Sequence, residues 1–356
     1  MLGLHCRISG ALLVCLLAPA GCSKVEDFLV SRGAENVARG DRDELLTDGA
    51  LHLVLCGTGS PIADKNRAAG CAAILAGGQL YLVDVGPGSW ENVQLWRLPR
   101  AKLSGVLLTH FHSDHMGELG ETMTQSWIAG RKGPLPVYGP EGVDKVVAGM
   151  QLAYELDGVY RREHHGDALD AAGNQLVAKP IGLPAPDGST VVLERDGLRV
   201  TAFAVDHRPV SPAYGYRFDY RGRSVVISGD TARTDNLTRY SKDADVLVHE
   251  VLAHRFVELV SEELGRRGDA RMSQLTADIL EYHADPKEAV ALAQEAGVRV
   301  LVFTHLVPAV PGPFLNYVYL GDVDVPDDMT VVIGEDGTSI ALPGDSDAID
   351  IGEIDS

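Results

Sequence analysis

Val106-Leu107-Leu108-Thr109-His110-Phe111-His112-Ser113-Asp114-His115 joins an apolar run to three histidines and one aspartate within six consecutive positions. A short apolar run reads as a buried strand, and the polar residues that end it emerge at a rim. Neutral imidazole and carboxylate are the ligands that suit zinc and its first-row neighbours. In extended chain His110 and His112 project the same way, as alternate residues do. Asp114 and His115 follow at the turn into the next helix, where they face a second ion. The competing reading is a polar loop with chance histidines. It is weak, because the chain has 12 histidines in 356 residues and three of them fall here.

Three later apolar runs also end in a candidate ligand. His207 follows Val200 to Val205, Asp230 closes Ile227-Ser228-Gly229-Asp230-Thr231, and His305 closes Leu301-Val302-Phe303-Thr304-His305. Singly, each has an ordinary explanation: a capping aspartate, or a histidine satisfied by backbone. Together with the first motif, coincidence is the weaker account. Asp84, in Asp84-Val85-Gly86-Pro87-Gly88, stands at another strand end. It either holds a ligand histidine from behind or caps the turn.

Around these motifs the pattern predicts strands at Leu51–Cys56, Ala72–Leu75 and Leu80–Val85, a helix over Ser89–Leu98, and a mostly helical stretch from Gly117 to Asp170 broken by a strand at Leu135–Tyr138. Residues 176 to 206 alternate as strands, followed by Tyr214–Tyr220, Ser224–Ile227 and Asp245–Val248. Helices over 273–283 and 286–296 lead to a strand at Val298–Phe303. Met329–Ile333 and Thr338–Leu342 read as a closing hairpin around Gly334-Glu335-Asp336-Gly337. Strands separated by helices, with polar motifs at strand ends, argue for a layered α/β fold.

The first 22 residues have the layout of an export signal: His5 and Arg7, an apolar core from Ala11 to Leu17, then small residues up to Cys22. They also resemble a bacterial lipoprotein signal with Cys22 as the lipidated residue, although Pro19 departs from that pattern. The expected location is therefore the periplasm or a lipid anchor on the envelope, with membrane contact confined to that anchor. Residues 23–48 read as a charged tether or a loosely packed entry, 49–343 as the functional domain, and 344–356 as a disordered acidic tail. Beyond the leader remain Cys56 and Cys71, a disulfide or two core thiols. With 50 acidic against 31 basic residues the formal charge is −19, which repels phosphate backbones and makes nucleic acid a disfavoured partner.

The motif set Thr-His-Phe-His-Ser-Asp-His, a lone histidine, Ser-Gly-Asp-Thr and Thr-His resembles the metallo-β-lactamase superfamily of two-zinc hydrolases over about Leu51 to Leu342. The resemblance implies an αββα sandwich, two mixed sheets face to face with helices outside, and a site at one rim. It implies that His110, His112 and His207 hold one zinc, that Asp114, His115 and His305 hold the other, and that Asp230 bridges them; manganese or iron suits the same donors. Two such ions about 3.5–4 Å apart keep a hydroxide ionised near neutral pH, and Asp114 can orient it. A homodimer is compatible with the family.

Within the family, Asp206-His207-Arg208-Pro209 with Tyr214-Gly215-Tyr216-Arg217, the segment Val248-His249-Glu250, and His283 ahead of Thr304-His305 resemble the ribonuclease Z branch. By that resemblance His283, carried on a helix with Glu250 behind it, is the general acid for a leaving alkoxide or phenoxide. A helix-end histidine without a role is the alternative. The tight turn between Arg217 and Ser224 leaves no room for that branch's long basic arm, and Pro61–Arg67 matches its substrate loop only in part. An arylsulfatase-like group shares the motif order, and His305-Leu306-Val307-Pro308 resembles it. Arg208 is a candidate for holding an anionic oxygen or a structural ion pair. Phe314, Tyr317 and Tyr319 are candidates for packing on an aromatic leaving group or plugging the site. The expected function is an exported binuclear zinc hydrolase of small aryl sulfate or phosphate esters. The alternatives are a ribonuclease Z-like RNA phosphodiesterase, a lactonase or other carboxylic ester hydrolase, and a non-catalytic metal-binding module.

Overall fold

Strands covered on both faces carry apolar residues without interruption, and the first strand, β1 (Ala50–Gly57), is buried along its whole length. Its alternate residues divide between two cores. Leu51, Leu53 and Leu55 face a core shared by both sheets, while Val54 and Cys56 face helices on the outside. The computed structural model describes residues 22–309 and 312–355. The export signal therefore lies outside the described residues, apart from Cys22.

The first sheet continues with β2 (Cys71–Ala76), β3 (Gln79–Val83), β4 (Leu103–Leu107), β5 (Leu135–Gly139) and β6 (Leu176–Pro180). The second consists of β7 (Ser189–Arg195), β8 (Leu198–His207), β9 (Val210–Tyr220), β10 (Arg223–Ile227), β11 (Val246–Leu252), β12 (Val300–Val307) and β13 (Thr330–Ile333). The chain then returns to the first sheet as β14 (Thr338–Pro343) and β15 (Asp350–Glu353). The strand orders are β15-β14-β1-β2-β3-β4-β5-β6 and β13-β12-β11-β10-β9-β8-β7. Both sheets mix parallel and antiparallel pairs. Leu53, Ile74, Tyr216, Phe218, Val248 and Val302 help fill the space between them. Trp90, Val93, Leu119 and Met123 cover one outer face, and Val290, Ala293, Leu315 and Tyr319 the other. The result is the expected αββα sandwich.

Four local readings change. Met329–Ile333 and Thr338–Leu342 form no hairpin: β13 pairs with β12 in one sheet and β14 with β1 in the other, so the Gly334–Gly337 turn crosses the sandwich. The acidic end is ordered, because β15 pairs with β14 and Ile354 is buried. The stretch read as a tether contains a helix, Cys22–Val37, in a unit of its own that ends at Asp41, and a 3-10 turn at Asp43–Leu46 with Leu46 buried in the second unit. The helix expected over 273–283 ends at Asp278 with a 3-10 turn to Glu281, so His283 sits on the bend before the helix Pro286–Ala296 rather than on a helix. Cys56 and Cys71 are buried free thiols on adjacent strands.

Candidate metal centre

Every proposed ligand stands at the same end of the sandwich. His110 follows β4, and His112 precedes the single turn Ser113–Met116 that carries Asp114 and His115. His207 ends β8, Asp230 follows β10, and His305 lies inside β12. Pairing slips one residue at Val205/His207 and again where β11 meets β12, so both histidines are aimed by bulges. His305 has φ +47, a conformation that a β-carbon disfavours and that marks a site held by its surroundings. Gly86 is obligatory beside it all, since a β-carbon there would collide with the carbonyl of Asp114.

The donor atoms converge. Asp230 Oδ2 lies 3.3 Å from His115 Nε2, 3.4 Å from His305 Nε2, 3.9 Å from His207 Nε2 and 4.0 Å from His110 Nε2. Asp114 Oδ2 is 3.2 Å from His305 Nε2 and 3.4 Å from His115 Nε2. His112 Nδ1 is 3.4 Å from His207 Nε2. Ligands held tetrahedrally about 2.0–2.2 Å from zinc stand roughly 3.3 Å apart, so these spacings fit an ion. Among the described residues three overlapping sets form, His110, His112, His207 and Asp230 in one, Asp114, His115 and His305 in another, and Asp230, His283 and His305 in a third, each with its donor atoms within 4.8 Å of one another. His110 Nε2 and His115 Nε2 are buried without a hydrogen-bond partner, as a cation's ligands are before it binds. His112 alone among the seven is exposed, which marks the open side.

The far side of three of the rings, His115, His110 and His207, is held, whereas His305 Nδ1 is buried without a hydrogen-bond partner. Asp84, at φ +59, accepts hydrogen bonds from Thr109 N at 2.8 Å and Thr109 Oγ1 at 2.7 Å, and pairs with His115 Nδ1 at 2.8 Å. Both readings of Asp84 hold together: it caps the strand end and it turns His115 Nε2 toward the cluster. Thr109 Oγ1, having donated to Asp84, accepts from His110 Nδ1 at 3.0 Å, and the Tyr282 carbonyl accepts from His207 Nδ1 at 3.2 Å. Thr109 and the Tyr282 carbonyl were not legible in the sequence, because neither residue type is a ligand.

Charge follows burial and neighbours. Burial lowers His110, His112 and His207, keeping them in the neutral form that ligates. Burial pushes the Asp114 carboxyl up, but hydrogen bonds with His115 and His305 hold it well below the carboxylate range. Asp230 is likewise raised by burial and brought well down by His305 and His115.

Beside the cluster, His283 Nδ1 meets Glu250 Oε1 at 3.0 Å, and the same oxygen accepts from Thr231 N and Ala284 N at 3.1 Å each. Burial lowers the His283 imidazole, yet Glu250 outweighs it and lifts it to about 9. Its ring centroid is 5.2 Å from that of His207 and 5.7 Å from that of His305. His249 points elsewhere, its Nδ1 bonded to the Glu250 carbonyl. Arg208 is exposed and paired with Asp206 at 2.5 Å. Tyr319 is buried and donates to the Pro308 carbonyl, whereas Phe314 and Tyr317 face solvent.

The Beta-lactamase superfamily domain matches residues 80–306. Ribonuclease Z of Mycobacterium bovis is 39% identical over 266 residues, 74% of this chain and 88% of that protein. Ribonuclease Z of Mycolicibacterium paratuberculosis is 38% identical over 262 residues, 73% of this chain and 87% of that one. Among solved structures, the metallo-β-lactamase fold protein YhfI from Bacillus subtilis and the short form of human tRNase Z each superpose with TM-score 0.58 over 82% of this chain and 99% of theirs, at 19% and 20% identity. Relatives that are ribonucleases overturn the expectation that nucleic acid is a disfavoured partner. That expectation rested on total charge, which is spread over the whole surface and does not set the field at one rim. The chain belongs to the metallo-β-lactamase superfamily, on its ribonuclease Z-like branch, and is a metal-dependent hydrolase.

Proposed function

We propose that this chain is a phosphodiesterase that cleaves RNA in the manner of ribonuclease Z. The observation that carries the reading is the 39% identity with the Mycobacterium bovis enzyme over 88% of its length. The curated relatives reported above are both ribonuclease Z enzymes. In this proposal His110, His112 and His207 hold one metal ion, Asp114, His115 and His305 a second, and Asp230 both. When bound, the ions supply Lewis acidity at a phosphoryl oxygen and a water acidified enough to attack near neutral pH. Asp84, Thr109 and the Tyr282 carbonyl fix the donor rings, so the site is organised before substrate arrives. Glu250 keeps His283 protonated, and His283 delivers that proton to the leaving alkoxide of the ribose.

Purified protein incubated with zinc or manganese should cut a precursor tRNA bearing a 3′ extension, and chelation should stop it. Turnover of nitrophenyl sulfate with no cleavage of RNA or of bis(nitrophenyl) phosphate would overturn the reading. Separately, we propose that the chain is exported, on the layout of its first 22 residues. Fractionation that finds the chain only in the cytosol defeats it and leaves the catalytic reading untouched.

A further inference from the structure

The loop from Thr58 to Gly70 joins β1 to β2, and each end touches a proposed ligand of the same ion. The Thr58 carbonyl accepts from the backbone N–H of Leu306 at 3.0 Å, next to His305. At the other end Gly70 packs on the His115 ring, where a β-carbon would stand 3.3 Å from Cε1. Pro61, Ile62 and Ala63 between them are exposed, and the loop has little apolar packing of its own. Part of what keeps it in place is backbone bonding, from Ala69 N to the Pro87 carbonyl at 2.9 Å and from Gly86 N to the Gly70 carbonyl at 3.1 Å; the rest is a set of side-chain ties.

Those ties meet at Asp336, in the turn that crosses the sandwich. Its Oδ1 accepts from Thr58 N at 2.9 Å and Thr58 Oγ1 at 2.7 Å; its Oδ2 accepts from Ala68 N at 2.6 Å and Asn92 Nδ2 at 2.9 Å. Arg67 Nη1 closes the clasp, donating to Thr58 Oγ1 and to the Gly334 carbonyl at 2.6 Å each. Across the neck, Gly59 N donates to the Ala68 carbonyl at 2.8 Å.

We infer that Asp336 is a positioning residue for the metal ion proposed at Asp114, His115 and His305, acting through both ends of the Thr58–Gly70 loop. The inference rests on the metal-centre reading above. It separates the two ions: among the described residues no hydrogen bond joins His110, His112 or His207 to Asp336, Arg67 or the Thr58–Gly70 loop directly, so their ion should feel it far less.

Zinc titration of the full chain against a chromophoric chelator, read as two binding steps, tests this. Asp336→Asn keeps shape and volume but turns an amide N–H₂ toward two donors on one side. It should weaken one zinc step about tenfold, the range for partners that stand behind ligands, and leave the other within twofold. A role in packing alone would lower the melting temperature of the metal-free chain and leave both steps unchanged in the folded protein. Both steps unchanged, or both weakened equally, overturns the inference. Should Asp336→Asn not fold, Thr58→Val, which loses one donor to the carboxylate, should weaken the same single step about threefold, and no change there also overturns it. A parent chain that binds less than one zinc defeats the metal-centre reading and this inference together; a normal parent with an unaltered variant defeats the inference alone.

Discussion

Asp230 and Asp245 are both buried carboxylates ringed by nitrogen bases, and they sit at opposite ends of the parallel strands β10 and β11. Asp245 precedes β11 and accepts from Arg223 Nη2 at 2.8 Å, Arg299 Nη1 at 3.0 Å and Ser224 N at 2.9 Å. Two of its partners are permanently charged guanidinium groups and the third is a backbone amide, so the group is complete as it stands. Asp230 follows β10 and faces four histidines at 3.3 to 4.0 Å. Those rings are pushed toward neutrality by burial in two cases, His110 and His207, and ring nitrogens remain unpartnered. One end of the sheet has satisfied its charge with protein alone. The other has gathered imidazole and carboxylate donors in an arrangement that suits a cation.

The sharpest way to break that comparison is to neutralise each carboxylate in turn. Asp230→Asn should lower kcat/KM on a phosphodiester about a thousandfold or more, since it removes the donor shared by both proposed ions. It should leave the melting temperature of the metal-free chain near the parent's. Activity within tenfold of the parent would show that Asp230 is not the bridging ligand. Asp245→Ala should do the reverse. Stripping the partner from buried Arg223 costs about 3 kcal/mol, visible as a lower urea midpoint, while kcat per folded molecule stays within twofold. A stable Asp245→Ala chain would show that the arginines find other acceptors.

The same contrast explains what the sequence revealed. The seven candidate ligands were legible because His110, His112, Asp114 and His115 cluster directly after one apolar run and His207, Asp230 and His305 each follow another, and a rim is where such residues emerge. Asp245 also ends a polar stretch before an apolar run, and nothing local distinguishes it. Its partners are set by pairing between strands 21 to 54 residues away. The acidic tail was misread for a related reason. Acidic composition suggests solvated chain, but what fixes this segment is its backbone: Arg223 holds the carbonyls of Pro343, Ser346 and Ala348, and Arg299 holds that of Asp347. Asp336 was hidden inside a plausible hairpin turn, because Gly-Glu-Asp-Gly between two apolar runs reads the same whether or not the runs share a sheet. The helix Pro286–Ala296, by contrast, was placed to the residue. Asp285 and Glu288 form a capping box and Gly297 ends it, all of them local signals.

The proton donor tests the functional end alone. His283→Ala should slow RNA cleavage about a hundredfold while slowing bis(nitrophenyl) phosphate only a few-fold, because nitrophenolate leaves without a proton. Equal losses on both substrates would reduce His283 to a structural neighbour of His207 and His305.

The smallest expected effect lies in the acid limb of stability at the structural end. Burial pushes the Asp245 carboxyl up, but Arg223, the Ser224 amide and Arg299 outweigh it and hold it below its ordinary value. A carboxyl lowered on folding binds fewer protons in the native state than in the unfolded one, so stability rises with pH. The gain is complete above the unfolded value of about 3.9 and is lost as pH falls through the folded value. Urea midpoints of metal-free protein from pH 6 to pH 3 should therefore fall more steeply for the parent than for Asp245→Asn. Using metal-free protein matters, because bound ions would add their own acid dependence at the other end of the sheet. Parallel slopes for the two proteins would mean that the Arg223–Asp245–Arg299 cluster contributes no linkage, and that the two ends of β10 differ less than their geometry implies.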